Sequence, residues 1–207
     1  MRKRLPLIAL LLVLASCTSK EPGTPSASPS TSSDVPTTSA GTTTQPSTGG
    51  LPTDGAPKVG SPIDPKGFLK QPCPVFTVDQ RKELGLNEGE QVEGSFGEGC
   101  KWRSNGGGQV TVSFLEKNTR GLSAPYANNK TGTFKYFEPT DIGGQPAVFA
   151  SGDDRRDKGE CQVVVGLSDK LVFNMFLQQS QDKVGTAKPC DVVARVAGMA
   201  LTTIKAG

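Results

Sequence analysis

Apolar and polar residues alternate along much of the second half of the chain, and this alternation carries most of the fold prediction. In Cys100-Lys101-Trp102-Arg103 and in Val110-Thr111-Val112-Ser113-Phe114, every second side chain is apolar. A strand sends successive side chains to opposite faces. Cys100 therefore joins Trp102, and Val110 joins Val112 and Phe114, on one buried face. Gly97-Glu98-Gly99 and Asn105-Gly106-Gly107-Gly108 read as turns around these strands, giving an antiparallel meander. Residues 134–137 and 147–150 read as strands separated by the Gly143-Gly144 turn. Residues 161–165 and 171–177 read as a strand pair joined through Gly166-Leu167-Ser168-Asp169. In the second of these, Leu171, Phe173, Met175 and Leu177 share one face.

Helical signals frame these strands. Thr77-Val78-Asp79-Gln80 has the form of a capping box, in which Thr77 accepts from the Gln80 amide and Gln80 reaches back. The helix it opens runs to Leu84, where Gly85 supplies the left-handed residue that ends it. Residues 122–130 read as a short helix. At the C-terminus, Pro189 suits a first helical position and Asp191 favours the positive end of the helix dipole. Cys190, Val193, Ala197, Leu201 and Ile204 recur at helical spacing and form one apolar stripe. The fold class expected is α+β: an antiparallel sheet packed by an N-terminal and a C-terminal helix.

The first 60 residues follow a different pattern. Met1-Arg2-Lys3-Arg4 precedes a run of eleven residues, Leu5 to Ala15, that is apolar except for Pro6. A cationic start, a short apolar core and small residues before a cleavage point are the parts of a secretory signal peptide. A membrane-spanning helix needs about 20 apolar residues, so this run is too short to be an anchor. Leu14-Ala15-Ser16-Cys17 matches the bacterial lipobox. That resemblance implies a lipid on the Cys17 sulfur, cleavage before Cys17 and an extracytoplasmic protein held on the membrane by that lipid. From Thr18 to Gly60, 31 of 43 residues are Ser, Thr, Pro or Gly and none is aromatic. Such a segment buries too little apolar surface to offset its ordering entropy, so it reads as a disordered tether spanning roughly 35–40 Å. Its Ser/Thr density with Pro also fits O-glycosylation. The division expected is a signal peptide at 1–16, lipidated Cys17 and tether at 17–60, and one globular domain at 61–207.

Charge narrows the partners. The chain has 23 Lys+Arg and 20 Asp+Glu, and three of the cations (Arg2, Lys3, Arg4) lie in the signal peptide, which leaves 20 against 20. Nucleic-acid binders carry a basic stripe, and this domain has none, so no nucleic-acid partner is expected. A polybasic membrane patch is absent for the same reason, leaving the lipid to do the anchoring. The chain contains no histidine. That removes Ser-His-Asp and Cys-His catalysis and every zinc site that requires imidazole.

Cys73, Cys100, Cys161 and Cys190 remain after Cys17. Four cysteines permit three pairings, and the sequence does not choose among them. Export favours disulfides over free thiols, and a Cys₄ zinc site is disfavoured because no C-x-x-C pair exists. The pairing expected is Cys73–Cys100 with Cys161–Cys190, each joining neighbouring elements and closing a loop worth on the order of 3–4 kcal/mol. No metal or other cofactor is expected. Asn105-Gly106-Gly107-Gly108 lacks the Gly-Lys-Ser/Thr of a phosphate loop, and Asp153-Asp154-Arg155-Arg156-Asp157 lacks EF-hand spacing and carries two arginines that repel a cation. Residues 153–160 therefore read as a solvated charged loop. In Phe134-Lys135-Tyr136-Phe137, alternation places Phe134 with Tyr136 and Lys135 with Phe137. An aromatic is therefore either covered by another element or left exposed as a candidate binding surface.

Taken in order, Pro72-Cys73, Leu84-Gly85-Leu86, Cys100-Lys101-Trp102, Gly144-Gln145-Pro146-Ala147-Val148, Cys161-Gln162-Val163 and a Val/Ala-rich helix opened by Cys190 resemble the actinobacterial lipoprotein family known as domain of unknown function 3558. The resemblance implies an exported, lipid-anchored domain with no assigned reaction. The element order is also similar to that of small Mog1/PsbP-like α+β domains, a likeness of layout only. The function expected is non-catalytic binding of an envelope protein or small ligand. The alternatives are an envelope hydrolase using paired carboxylates, which converging Asp/Glu in a deep pocket would favour, and a purely structural surface protein.

Overall fold

A computed structural model describes residues 50–207. The signal peptide, Cys17 and residues 18–49 of the tether lie outside the described residues. Among the described residues there are seven strands: β1 (Glu90–Gly94), β2 (Gly97–Arg103), β3 (Gln109–Phe114), β4 (Tyr136–Ile142), β5 (Gln145–Ser151), β6 (Glu160–Gly166) and β7 (Val172–Gln178). The helices are α1 (Lys66–Leu69), α2 (Val78–Leu84), α3 (Ser123–Lys130) and α4 (Pro189–Ala206). All seven strands join one antiparallel sheet in the order β1-β2-β3-β7-β6-β5-β4. The sheet is two meanders fused where β7, the last strand, docks on β3.

Side-chain periodicity explains that union. The register sets Val110 beside Leu177, Val112 beside Met175 and Phe114 beside Phe173, so the apolar positions of both strands meet on one face. A slip by one residue would send each to the opposite face, and the buried face forbids it. α4 lies across this face, with Val193, Ala197, Ala200, Leu201 and Ile204 buried against it. The valine, leucine and isoleucine side chains contribute about 1.5–3 kcal/mol each when fully buried. Among the described residues no helix is long and apolar enough to cross a membrane.

α2 begins as the sequence predicts. Gln80 donates its amide to Thr77 Oγ1 (3.2 Å), Thr77 donates its amide to Gln80 Oε1 (2.9 Å), and Gly85 ends the helix at φ 64°. The Gln80 side chain also donates to the Met199 carbonyl (3.1 Å) and accepts from the Thr203 hydroxyl (3.0 Å), so the cap doubles as a link to α4. Both expected disulfides are present. Cys73–Cys100 ties a 3₁₀ turn at Cys73–Val75 to β2, and Cys161–Cys190 ties β6 to the first turn of α4. With all four sulfurs bonded in pairs, none is a thiolate free to hold zinc.

Two expectations change. Gly97-Glu98-Gly99 is not a turn but the start of β2, and the chain reverses one step earlier, between Gly94 and Gly97. The glycines serve close approach instead: a Cβ at Gly97 would stand 2.0 Å from the Phe114 carbonyl oxygen, and one at Gly99 2.6 Å from that of Val112. Likewise, the folded domain begins well before Ser61. Residues 51–59 form a strap on the face opposite α4, with Val59 buried and Ala56 packed on a second cluster of Leu122, Val148, Ala150, Val164 and Val172. Thr53 donates its amide to Ser123 Oγ (2.8 Å) and Val59 to Asp169 Oδ1 (2.9 Å). Asp54 bridges Arg120 and Lys130, and a hydrogen bond from Thr53 with these two cations holds its carboxyl below the usual range.

A tight corner lies where Gly89 passes the first disulfide. A Cβ there would be 2.5 Å from both Cys100 Sγ and Trp102 Nε1, and both residues are fully buried. Gly89→Ala is expected to cost about 1–3 kcal/mol by overpacking. A urea unfolding midpoint unchanged from the parent would contradict this.

Candidate functional site

The pairing of β5 with β6 stops after Phe149 and Val163. Beyond that point the strands part, and the connecting residues 152–159 fold as a loop with a 3₁₀ turn at Arg156–Lys158. The gap, the edge strand β4 and the segment 185–191 border an open cavity of about 760 Å³. Its walls include Tyr136, Glu138 and Phe149 from the sheet, Arg156 from the loop, and Lys188 and Asp191 at the start of α4. The Cys161–Cys190 bridge fixes that end of α4 to β6, so the wall cannot drift from the sheet.

The three aromatics singled out from the sequence do not form one surface. Tyr136 faces α4, lies near-parallel to Phe149 (centroids 6.5 Å apart) and lines the cavity. Phe137 faces the strap side, where it meets Tyr126 of α3 edge-on at 5.0 Å and Phe134 at 6.0 Å. Phe134 thus sits with Phe137 and not with Tyr136, contrary to strict alternation. The reason is local: β4 begins only at Tyr136, and Phe134 lies in the turn that follows Gly132 (φ 73°).

Around Tyr136 the polar groups are mutually engaged. Its hydroxyl donates to Glu138 Oε2. The Arg156 guanidinium lies over the ring, 3.7 Å from Cζ to the centroid. Asp154 grips that guanidinium from the side, accepting from Nε at 2.7 Å and Nη2 at 2.6 Å. Burial, reinforced by the hydrogen bond to Glu138 and its charge, pushes the Tyr136 hydroxyl up to about 12. The hydrogen bonds from Arg156 hold the Asp154 carboxyl below the usual carboxylate range, and the same pairing raises the Arg156 guanidinium.

The chain has two tyrosines, and burial raises Tyr126 as well. An ordinary tyrosine ionises near 10. A spectrophotometric titration at 295 nm of Tyr126→Phe is therefore expected to show one transition near pH 12, set by Tyr136. Because the folded value exceeds the unfolded one for an acid, stability is lost as pH rises from about 10 towards the folded value. A transition near pH 10 in folded protein would contradict the buried, bonded state of this ring.

The cavity brings together Glu138, Asp154, Asp157 and Asp191. A hydrolase acid needs a carboxyl raised towards neutral pH. Asp154 moves in the opposite direction and is occupied by Arg156. Asp157 pairs with Lys158 at 3.2 Å. The loop read from sequence as solvated, residues 153–160, is indeed exposed from Asp153 to Lys158, and it also borders the cavity, with Arg155 held by Glu160 at 2.8 Å. Among the described residues no group of three or more Cys, Asp or Glu is arranged to hold a metal ion.

A family model described as "Protein of unknown function (DUF3558)" matches residues 12–203. The chain belongs to that family. No curated protein and no solved structure matches it. The likeness of this DUF3558 domain to Mog1/PsbP-like folds therefore rests on element order alone. The matched span takes in both disulfides and the whole cavity wall, from Tyr136 to Asp191. Cys17 also falls inside that span but outside the described residues. What the sequence left hidden is the meeting of 136–138, 154–157 and 185–191, segments that only the sheet order and the second disulfide bring together.

Proposed function

We propose that this DUF3558 chain is a lipid-anchored, extracytoplasmic binding protein without catalytic activity. Cys17 carries the lipid, the Ser/Thr/Pro/Gly-rich segment up to the strap is a spacer, and the sheet domain receives a small ligand, or a side chain of an envelope protein, in the cavity beside Tyr136. One observation carries the binding reading: a cavity of about 760 Å³ with one wall fixed by a disulfide, an aromatic floor and polar groups converging at one end. Concavity with an aromatic floor and oriented polar groups is a character of ligand sites, although this lining is more charged than the usual, mainly apolar one. Two disulfides and a Ser/Thr-rich N-terminal segment support an oxidising compartment.

Two measurements test the reading. Intact mass of the protein from its native host is expected to correspond to a chain starting at a diacylglyceryl-modified Cys17, and Met1 retained with Cys17 bare would overturn the anchor. Nitrogen-15 amide spectra recorded against a panel of polar metabolites and envelope-derived peptides are expected to move residues 136–138, 154–157 and 186–191 without turnover of any compound. Turnover, or shifts confined to other surfaces, would overturn the binding role of the cavity.

A further inference from the structure

We propose that the cavity binds a guanidinium or alkylammonium group on the face of Tyr136, between the Asp154 and Glu138 carboxylates, in the seat that the chain's own Arg156 fills when no ligand is present. The proposal deepens the binding reading and rests on it. Arg156 itself supplies the first argument. Its planar cation lies 3.7 Å above the phenol ring while Asp154 takes two of its N–H groups at 2.7 and 2.6 Å. Ring face and in-plane carboxylate are together the complement of a guanidinium. The Tyr136 hydroxyl donates to Glu138 and so holds a second carboxylate at the ring's edge.

The resident cation lies at the solvent boundary. Arg156 and Asp154 side chains remain 42% and 39% exposed, so water screens the pair although its contact is bidentate. Arg156 can swing out by side-chain rotation, without moving the sheet. Vacating the seat connects it to the rest of the cavity, whose volume of about 760 Å³ far exceeds a guanidinium and leaves room for the body of a ligand.

Charge then decides the sign. With Arg156 cancelling Asp154 and Lys158 pairing Asp157, the remaining ionisable walls are Glu138 and Asp191 against Lys188. Asp191 stands in the first turn of α4 and offsets the positive end of that helix. An anion would meet a net negative wall, and a cation a favourable one. The aromatic face selects among cations for planar or alkylated ones over a bare metal ion.

The test uses the full-length chain with agmatine, which carries both a guanidinium and a primary amine, and inorganic phosphate as the opposite charge. Isothermal titration is expected to give weak agmatine binding to the parent and about tenfold tighter binding to Arg156→Ala, as when a competing occupant leaves the seat free roughly one-tenth of the time. Arg156→Gln, which keeps polarity without charge, is expected to tighten binding in the same way and guards against a folding defect in the alanine variant. In the Arg156→Ala background, Tyr136→Phe should retain the gain, whereas Tyr136→Leu or Asp154→Asn should abolish it. Binding no tighter without Arg156, or undiminished with Tyr136→Leu, overturns the proposal. Phosphate shifting the cavity amides while agmatine does not would overturn the cation assignment and leave the binding reading standing. No response to either probe overturns the assignment too, while the wider ligand panel decides the binding reading separately.

Discussion

A variant with all four domain cysteines changed to alanine (Cys73, Cys100, Cys161 and Cys190) is expected to lose about 7 kcal/mol and to be largely unfolded at 37 °C. The bridges span 27 and 29 residues. Loops of that length give about 3.5 kcal/mol each through the entropy of the unfolded chain. A domain's total stability is on the order of 5–15 kcal/mol, so losing both removes half of it or more. Cys100, Cys161 and Cys190 are buried and Cys73 half-buried, which adds a packing loss to the entropic one. Guanidinium unfolding followed by Trp102 fluorescence reads the effect, since this tryptophan is fully buried beside the first bridge. Each pair removed alone should cost roughly half as much, and the pairs should add, because they join different elements. A quadruple variant whose midpoint stays close to the parent's would refute the assignment of stability to the bridges. Removing Cys161–Cys190 has a further consequence that the first pair lacks: it frees the start of α4 from β6, and the cavity wall with it. Ligand binding should therefore weaken in that variant more than its stability loss alone would explain.

The elements that carry those bridges were legible in the sequence, though the choice among three pairings was not, and the reason is local. Cys100 lies in an alternating run that can only be a strand, Cys190 opens a helical stripe, and each has a partner on an adjacent element. The Thr77/Gln80 cap with Gly85 and the faces of β3 and β7 were legible for the same reason, since each signal spans fewer than ten residues. β1 was not. Its sequence, Glu90-Gln91-Val92-Glu93-Gly94, has one apolar residue, and as an edge strand it needs no more. Glycine misled at Gly97 and Gly99 because close backbone approach and tight turns both select for it. The candidate site was half legible. Tyr136 was singled out, but the seat around it depends on Asp154, Arg156 and the entry to α4. Nothing within reach of one segment's pattern announces that these will converge. Their meeting follows from β4, β5 and β6 lying side by side at one edge of the sheet and from the bridge that fixes the start of α4 to β6.

A chain beginning at Ser61 instead of Gly50 is expected to be less stable by about 3 kcal/mol, although composition assigns residues 50–60 to the tether. Val59 is buried at the end of that strap, and a fully buried valine contributes about 1.5–3 kcal/mol. Its seat is made by a glycine: a Cβ at Gly166 would stand 2.9 Å from Val59 Cγ2 and 3.1 Å from Leu122 Cδ1. Truncation uncovers Leu122 and the Val148, Val164 and Val172 side chains beneath it. It also leaves the Ser123 hydroxyl and Asp169 without the amides of Thr53 and Val59. Ser61 and Ile63 remain bonded to Gln145 and Leu167, so the sheet keeps its next attachment and the loss is bounded. Val59→Asp in the full-length chain should reproduce most of the effect by placing an unpaired carboxylate in an apolar seat. Low pH should weaken the same strap more gently: Asp54 is held below the usual carboxylate range, so its contribution is present above about pH 4 and is lost as pH falls through its folded value. Denaturation midpoints of the two chains, compared at pH 7, decide the matter. Equal midpoints would mean that the strap only rests on the sheet and that Ser61 is the true start of the fold. A lower midpoint for the shorter chain, matched by Val59→Asp, would mean that the segment joining head to tether is itself part of the core.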